Sequence, residues 1–450
     1  MTAPMRLSAF TMNCVGHQSQ GLWRHPRDRS ADYTSIGHWV ELARTLERGC
    51  FDTVFLADVL GVYDVYGGGP ETAVRTAAQV PVNDPMLVVP VMAAVTEHLG
   101  FGVTGITSFE PPYTFARRMS TLDHLTAGRV SWNIVTGYLD SAARAMGAAA
   151  QTAHDARYDM AAEYLEVVYR LWEGSWEDGA VVRDRATGVF ADPAKVHAVT
   201  YTGEHYRVDG IHLSEPSPQR TPVLFQAGSS RPGQRFAAAH AECVFVAGND
   251  RAGTAAAVAQ LREDVAAAGR DPADVVVCSM ISVIVDETER AAQDKASEYA
   301  SYASPEGALA LLSGWSGKDY ARPLDAQTSS EAIAAAAQTR PRDIDAAARH
   351  VALAGSCPLI VGSPDHVADE MESLREESGV DGFNVTRQVM PESFGDFVDL
   401  VVPELQRRGV FKRAYAPGTL REKLFGHEAH LQPPHPATTH RRWSGTSPSA

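Results

Sequence analysis

The chain has 450 residues, 44% of them hydrophobic, so it is long enough to bury a large core without disulfide or metal support. Its 40 lysines and arginines stand against 55 aspartates and glutamates, and the net charge of −15 argues against nucleic acid or an anionic membrane as the main partner. Five scattered cysteines without a CxxC pair, no signal-peptide pattern and no long apolar run favour a cytoplasmic enzyme.

Eight short runs of apolar and β-branched residues predict strands. Near-continuous apolar runs of this length are typical of parallel strands that are buried on both faces. The predicted strands cover residues 7–13, 51–58, 101–108, 129–136, 222–228, 242–247, 275–285 and 379–386.

Helical patterns separate these strands. Trp39, Leu42 and Leu46 recur at helical spacing, and Asp84-Pro85 places a capping residue before a proline, which is typical of a helix start. The predicted helices cover residues 36–49, 84–98, 113–126, 156–173, 231–240, 251–268, 286–301, 364–377 and 392–409.

This alternation favours an α/β fold of the (β/α)8 TIM-barrel type over an open doubly wound sheet, since no GxGxxG motif follows a predicted strand. Two long glycine- and proline-rich stretches, near 175–221 and 302–361, predict insertions on the βα loops, where lids and substrate-binding loops occur. We expect residues 1–410 to form the barrel with its insertions, and residues 411–450 to form a C-terminal arm that ends in a disordered tail.

The active site of a parallel barrel lies at the carboxyl ends of its strands. The residues at these ends are polar, but Asp58 is the one carboxylate among them, which disfavours a two-acid hydrolase or a metal site. From the residues alone, Asp58 can also be a loop cap, and Cys14 near His17 can be a nucleophile or a pocket wall. The set comprises Asn13, Cys14, His17, Asp58, Val59, Tyr63, Thr104, Thr107, Asn133, Thr136, Tyr138, Gly228, Ser229 and Ser230.

Two short patterns are compatible with an anion site. Residues 227–233, AGSSRPG, follow the fifth strand and open a helix, where small residues and free N–H groups favour a phosphate. Tyr158, near the start of another helix, carries a hydroxyl that can donate to a phosphate oxygen. Both patterns also fit an ordinary loop or helix start. The histidines of residues 427–440 lie in a polar segment that we expect to be solvated, not a metal site.

Longer blocks resemble the bacterial luciferase-like flavin-dependent monooxygenases, in the branch of the nitrilotriacetate, dibenzothiophene-sulfone and long-chain alkane monooxygenases. The resemblance runs from about residue 5 to residue 426, and its first two blocks are most similar to the alkane enzymes. The blocks include MNCVGHQSQGLWRHP (12–26), FLADVLGVYDVYGG (55–68), ARRMSTLDHLTAGRVSWNIVT (116–136), RYDMAAEYLEVVYRLWEGSWED (157–178) and HLSEPSPQRTPVLFQAGSS (212–230).

The resemblance implies a two-component monooxygenase that receives FMNH2 from an NAD(P)H-dependent flavin reductase and inserts one oxygen atom of O2 via a C4a-(hydro)peroxyflavin. It implies a homodimer or homotetramer. Carried over by position, it places FMN among Asp58, Thr104, Asn133, His154, Tyr158, Ser229 and Ser230, with the phosphate at the last three. It places the substrate and the reactive flavin edge near Cys14, His17, Tyr63 and Gln79. As a separate hypothesis, we expect His17 or Tyr138 to be a hydrogen-bond donor near the flavin edge.

Two departures from the alkane enzymes concern the substrate. Tyr138 stands where those enzymes carry a histidine after the fourth strand, and Ala308 and Leu311 occupy the region of a second histidine. A small or medium hydrophobic, alkane-like substrate, an alkyl sulfide or sulfone, and a flavin-binding protein without monooxygenase activity all stay open. A deazaflavin-dependent dehydrogenase and a metal-dependent barrel hydrolase are the more distant alternatives.

Overall fold

A computed structural model describes residues 4–228, 230–247, 250–321 and 344–442. The strands in these ranges are β1 (Arg6–Met12), β2 (Thr53–Ala57), β3 (Gly100–Ile106), β4 (Val130–Val135), β5 (Val181–Asp184), β6 (Val189–Ala191), β7 (Val199–Thr202), β8 (Arg207–Gly210), β9 (Val223–Ala227), β10 (Cys243–Val246), β11 (Val276–Val285), β12 (Leu359–Gly362) and β13 (Gly382–Thr386). Eight of these thirteen strands follow the eight predicted apolar runs, and strands such as β2, β3 and β4 are buried on both faces. The other five, β5 to β8 and β12, were not predicted.

Eight of these strands close into a parallel barrel, which confirms the predicted (β/α)8 fold. The order around the barrel is β1-β2-β3-β4-β9-β10-β11-β13, and β13 pairs with β1 to complete the ring. β12 is added outside the ring, on the carboxyl-terminal half of β11. An open doubly wound sheet is excluded, because a closed ring leaves no edge between β1 and β13.

Phenylalanine rings fill the barrel interior. Phe10 lies opposite Phe55 in the β1–β2 register, and the rings of Phe55, Phe225 and Phe245 contact one another inside the ring. Leu420 and Leu424 pack into the same cluster, so the C-terminal arm contributes to the barrel core.

Helices surround the barrel and supply the second layer of the fold. They are α1 (Ile36–Arg48), α2 (Glu71–Thr76), α3 (Val89–Ala93), α4 (Pro112–Leu125), α5 (Asp140–Ala145), α6 (His154–Gly174), α7 (Arg231–His240), α8 (Arg251–Ala267), α9 (Glu289–Tyr302), α10 (Pro305–Ser316), α11 (Ile344–Ala354), α12 (Pro364–Ser378), α13 (Glu392–Asp396), a π-helical turn (Phe397–Val401), α14 (Val402–Arg407) and α15 (Leu420–Phe425).

The helix predicted over residues 84–98 is wrong in extent, since only Val89–Ala93 is helical. Asp84 Oδ1 accepts a hydrogen bond from Met86 N at 2.8 Å and so forms a local turn instead of a helix cap. Pro90 has no N–H and fits only the first turn of a helix, which delays the start of α3.

The two insertions contain regular structure of their own. The first carries two antiparallel hairpins, β5–β6 and β7–β8. The second carries α10, α11 and β12, and residues 322–343 lie outside the part of the chain that the structure describes.

The C-terminal arm packs on the barrel as far as residue 442. The guanidinium of Arg421 is buried and donates to both carboxylate oxygens of Glu242, at 2.7 and 2.9 Å. The expectation of a solvated segment is wrong for His435, which is buried and whose Nε2 donates to His240 O at 2.8 Å. Among the described residues, no helix is long and apolar enough to cross a membrane.

Candidate active site

The carboxyl-terminal mouth of the barrel presents a polar pair on β3 and β4. Thr104 lies opposite Asn133 in the strand register and donates its hydroxyl to Leu56 O at 3.0 Å. Asn133 Nδ2 donates to Thr104 Oγ1 at 3.0 Å, which fixes the orientation of the amide. The amide oxygen, Oδ1, is buried without a hydrogen-bond partner among the described residues. A ligand N–H at the mouth would satisfy this acceptor.

Two residues after β1 add unpaired polar atoms to the same mouth. Asn13 Nδ2 donates to Asp84 O at 3.0 Å, while Asn13 Oδ1 and His17 Nδ1 are buried and lack partners within the described ranges. Burial, and secondarily the charge of Arg387, lower the pKa of His17 well below its usual range. His17 is therefore a neutral imidazole, held edge-on to the Phe10 ring at 4.4 Å between centroids.

Asp58 follows β2 and is partly buried. Its Oδ1 accepts a hydrogen bond from Val59 N at 2.8 Å, which also matches the capping alternative. Desolvation raises the pKa of Asp58 to about 7, and the charge of Asp84 acts in the same direction. Asp58 is therefore a carboxyl that changes charge near neutral pH.

A cluster of hydrogen bonds joins four of the predicted substrate-side residues. Tyr63 donates to Gln79 Oε1 at 3.0 Å, and its hydroxyl is also hydrogen-bonded to that of Tyr138. Gln79 Nε2 donates to His17 O at 3.0 Å, which connects the cluster to the loop after β1. The structure thus brings Tyr63, Gln79, Tyr138 and His17 together.

Sequence reasoning missed Trp315, which joins this cluster from the second insertion. Trp315 Nε1 donates to the Tyr63 hydroxyl at 3.2 Å. Its neighbour Gly314 permits the approach of α10, because a Cβ there would lie 2.1 Å from Tyr63 Cδ1. No motif could signal this contact, since the two residues are far apart in the sequence.

Cys14 lies in the apolar part of the same region. It packs in one buried cluster with Met12, Tyr63 and Leu311, and its thiol donates to Gly16 O at 3.3 Å. Burial raises the pKa of Cys14 to about 12, against the weaker effect of Arg387. A protonated, hydrogen-bonded thiol favours the interpretation of Cys14 as a pocket wall over that of a nucleophile.

Ala308 and Leu311, which occupy the region that the family resemblance gives to the second histidine, lie on α10. Leu311 is fully buried in the cluster that contains Tyr63, whereas Ala308 packs against α11. On α10, apolar packing therefore stands where the family resemblance implies an imidazole group.

Two of the residues predicted to hold a phosphate, Tyr158 and Ser230, lie where α6 faces the start of α7. Ser230 caps α7, with its Oγ accepting from Gly233 N at 3.2 Å, and Pro232 occupies the first turn. A Cβ on Gly233 would lie 2.5 Å from the Tyr158 hydroxyl and 3.1 Å from Ser230 Oγ. The glycine thus leaves a cradle with two hydroxyls and a helix N-terminus, the groups that phosphate favours.

His154 lies beside this cradle, with its ring 5.3 Å from that of Tyr158 between centroids. Its Nδ1 is 2.8 Å from Asp155 Oδ1, and the side chain is exposed. Ser229 lies outside the described residues. Among those that are described, no group of three or more His, Cys, Asp or Glu residues is arranged to hold a metal ion.

Comparison with known proteins assigns the chain to a family. The sequence profile of the luciferase-like monooxygenases matches residues 5–382. The dimethyl-sulfide monooxygenase of Hyphomicrobium sulfonivorans is 48% identical over 447 residues, which cover 97% of this chain and 93% of that protein. The long-chain alkane monooxygenase of Geobacillus thermodenitrificans is 48% identical over 428 residues, which cover 95% of each.

Solved structures share the fold over nearly the whole chain. The crystal structure of a long-chain alkane monooxygenase superposes with a TM-score of 0.92 at 47% identity, covering 98% of this chain and 100% of that one. A riboflavin lyase with modified FMN and its substrate riboflavin also gives 0.92, at 35% identity and with the same coverage. The chain therefore belongs to the luciferase-like monooxygenase family and is a flavin-dependent monooxygenase.

Proposed function

We propose that this chain is the oxygenase component of a two-component system, which uses reduced FMN and O2 to oxygenate a small or medium hydrophobic molecule. The observation that carries the proposal is the cradle at Gly233, where the Tyr158 and Ser230 hydroxyls converge on the first turn of α7. This cradle suits the phosphate of FMN, which riboflavin lacks.

The residues at the barrel mouth fit the rest of this cofactor. Asn133 Oδ1 is a buried acceptor, already oriented by Thr104, for a ring N–H of the flavin. Asp58 and His154 lie at further positions that the family resemblance assigns to FMN. Reduced FMN held by these residues would supply the two electrons that activate O2, one atom of which goes to the substrate and the other to water.

The chain's own residues exclude water from the site and orient the reacting groups. Met12, Cys14 and Leu311 form an apolar wall that keeps bulk water from the reacting groups. The neutral imidazole of His17 supplies a hydrogen-bonding nitrogen, Nδ1, that is free of partners within the described part of the chain. Such a positioned group typically contributes about 100- to 10,000-fold to the rate.

The source of reducing equivalents is a separate protein in this proposal. The sequence has no GxGxxG motif after a strand and so carries no dinucleotide-binding fingerprint of its own. An NAD(P)H-dependent flavin reductase that releases FMNH2 meets this need. We further propose a homodimer or homotetramer, as in the family resemblance, in the cytoplasm.

The substrate is alkane-like in this proposal because the described wall is apolar and uncharged. A second candidate is an alkyl sulfide, favoured by the 48% identity to a dimethyl-sulfide monooxygenase. Both are neutral molecules that the same wall accommodates.

An oxygen-electrode experiment tests the proposal. The enzyme, FMN, a flavin reductase and NADH are supplied with alkanes, alkyl sulfides, sulfones or amines in turn, and product and peroxide are quantified. The proposal expects product from an alkane or a sulfide that rises as peroxide falls. Oxygen consumption that yields peroxide alone with every substrate would contradict it and would favour a flavin-binding protein without monooxygenase activity.

A further inference from the structure

Four side chains meet at the hydroxyl of Tyr63, which is buried with only 2% of its surface exposed. The Tyr63 hydroxyl is hydrogen-bonded to Gln79 Oε1 at 3.0 Å, to Trp315 Nε1 at 3.2 Å and to the Tyr138 hydroxyl. A phenol has one proton to donate and two lone pairs to accept, so these three bonds use its whole capacity.

The direction of each bond follows from the chemistry of the partners. Trp315 Nε1 is a donor only, so Tyr63 accepts from it. Gln79 Nε2 donates to His17 O at 3.0 Å, so the amide turns its acceptor oxygen towards Tyr63, and the Tyr63 proton goes to that oxygen. The bond with Tyr138 then has to be donated by Tyr138.

We propose that Gln79 is a positioning residue that fixes this direction, so that Tyr138 presents only acceptor lone pairs to a ligand at the barrel mouth. The inference rests on the proposed function of this site. It differs from the expectation that Tyr138 is a hydrogen-bond donor to the ligand, because in this proposal the proton of Tyr138 goes to Tyr63. Tyr138 follows β4, which ends at Val135, and 46% of the surface of the residue is exposed, so a ligand can approach this side chain from the solvent side.

As a consequence, the site distinguishes ligands that can donate a hydrogen bond from ligands that can only accept one. A hydrophobic ligand with an O–H group, such as an aliphatic alcohol, pairs with the Tyr138 oxygen. A ligand of the same size that only accepts, such as a ketone or a sulfone, places its oxygen against another acceptor. The site therefore favours an alcohol, the product class of alkane hydroxylation, over a sulfone.

Binding of two six-carbon probes to the flavin-free protein tests this assignment. n-Hexanol and butyl methyl ketone are titrated by calorimetry into the wild type and into the variants Tyr138→Phe, Gln79→Met and Trp315→Phe. We expect the wild type to bind the alcohol about two- to tenfold more tightly, the range of one neutral hydrogen bond. Thermal unfolding of each variant verifies that it is folded.

The variants separate direction from simple contact. Tyr138→Phe removes the acceptor, and Gln79→Met frees the Tyr63 proton to turn towards Tyr138. Both variants are therefore expected to bind the alcohol and the ketone about equally tightly. Trp315→Phe leaves the Tyr63–Gln79 bond in place and keeps the preference. Equal binding by the wild type, binding of neither probe, or a preference that survives in Tyr138→Phe or Gln79→Met overturns the proposal. Because no flavin is present, a protein that shows the expected preference but neither binds FMN nor consumes oxygen refutes only the proposed function.

Discussion

Replacing Gly233 with alanine tests the phosphate end of the proposed FMN site. Gly233 is the third residue of α7, and its Cβ would lie 2.5 Å from the Tyr158 hydroxyl. Ordinary contacts between such atoms lie near 3.5 Å, so the hydroxyl has to move by about 1 Å. The methyl group also occupies the space between Tyr158 and Ser230 in which we place the phosphate.

The expected loss is that of one hydrogen bond to a charged group. Such a bond contributes about 1.5–3 kcal/mol, which corresponds to an increase of about 10- to 150-fold in the Kd for FMN. Isothermal titration of FMN into the wild type and Gly233→Ala measures this ratio. Loss of affinity through unfolding is not expected, since alanine stabilises a helix by about 0.5–1 kcal/mol relative to glycine.

Two controls make the result specific. Riboflavin, which lacks the phosphate, is expected to bind the wild type and Gly233→Ala equally. Gly37→Ala, in the first turn of α1, is the matched variant, because the one atom near its added Cβ is Ser35 Oγ, at 4.0 Å. It is expected to leave FMN affinity unchanged. The phosphate assignment is refuted if Gly233→Ala binds FMN as tightly as the wild type does. It is also refuted if the substitution weakens the binding of riboflavin as much as that of FMN.

Three further predictions concern stability and reactivity. Arg421→Met leaves the buried carboxylate of Glu242 without its ion-pair partner and should lower the free energy of unfolding, measured in urea, by about 3–5 kcal/mol. The control Arg290→Met, at a side chain that is 93% exposed, should change it by less than about 0.5 kcal/mol. Equal effects of the two variants would contradict the argument from the buried pair. Asp58 has a folded-state pKa of about 7 against 3.8 for an ordinary aspartate, so the folded protein holds the proton longer than the unfolded chain does. The stability of the wild type should therefore fall relative to that of Asp58→Asn as the pH rises from about 4 to about 7; parallel pH profiles of the unfolding free energy would show that the carboxyl is not perturbed. All five cysteines are buried, so iodoacetamide at pH about 8 should add no mass to the native protein and five adducts in urea; a native adduct would contradict the burial of the labelled thiol.

The barrel could be predicted from the sequence because the burial of its strands is reflected in their hydrophobicity pattern. Strands such as β2 and β3 are buried on both faces, and therefore read as continuous apolar runs with helices between them. The hairpins of the first insertion gave no comparable signal. β5 and β6 are short and largely exposed, so polar residues satisfy them as well as apolar ones do.

The site was predictable only where one segment carries the information. The segment Ser230-Arg231-Pro232-Gly233 predicts a helix start, and the family resemblance places Tyr158 at the same phosphate site as Ser230. The contact of Trp315 with Tyr63 depends on how α10 packs, a long-range property that local spacing does not encode. The direction of the bond between Tyr63 and Tyr138 depends on the same packing.

The central claim is that this barrel transfers one atom of O2 to a hydrophobic molecule with reduced FMN as the cofactor. Turnover under isotope-labelled dioxygen, with a flavin reductase, NADH, FMN and an alkane or alkyl sulfide, tests it most directly. We expect the mass spectrum of the product to show a single labelled oxygen atom and the second labelled atom to appear in water. Labelled hydrogen peroxide as the sole oxygen product, with the substrate recovered unchanged, would contradict the claim.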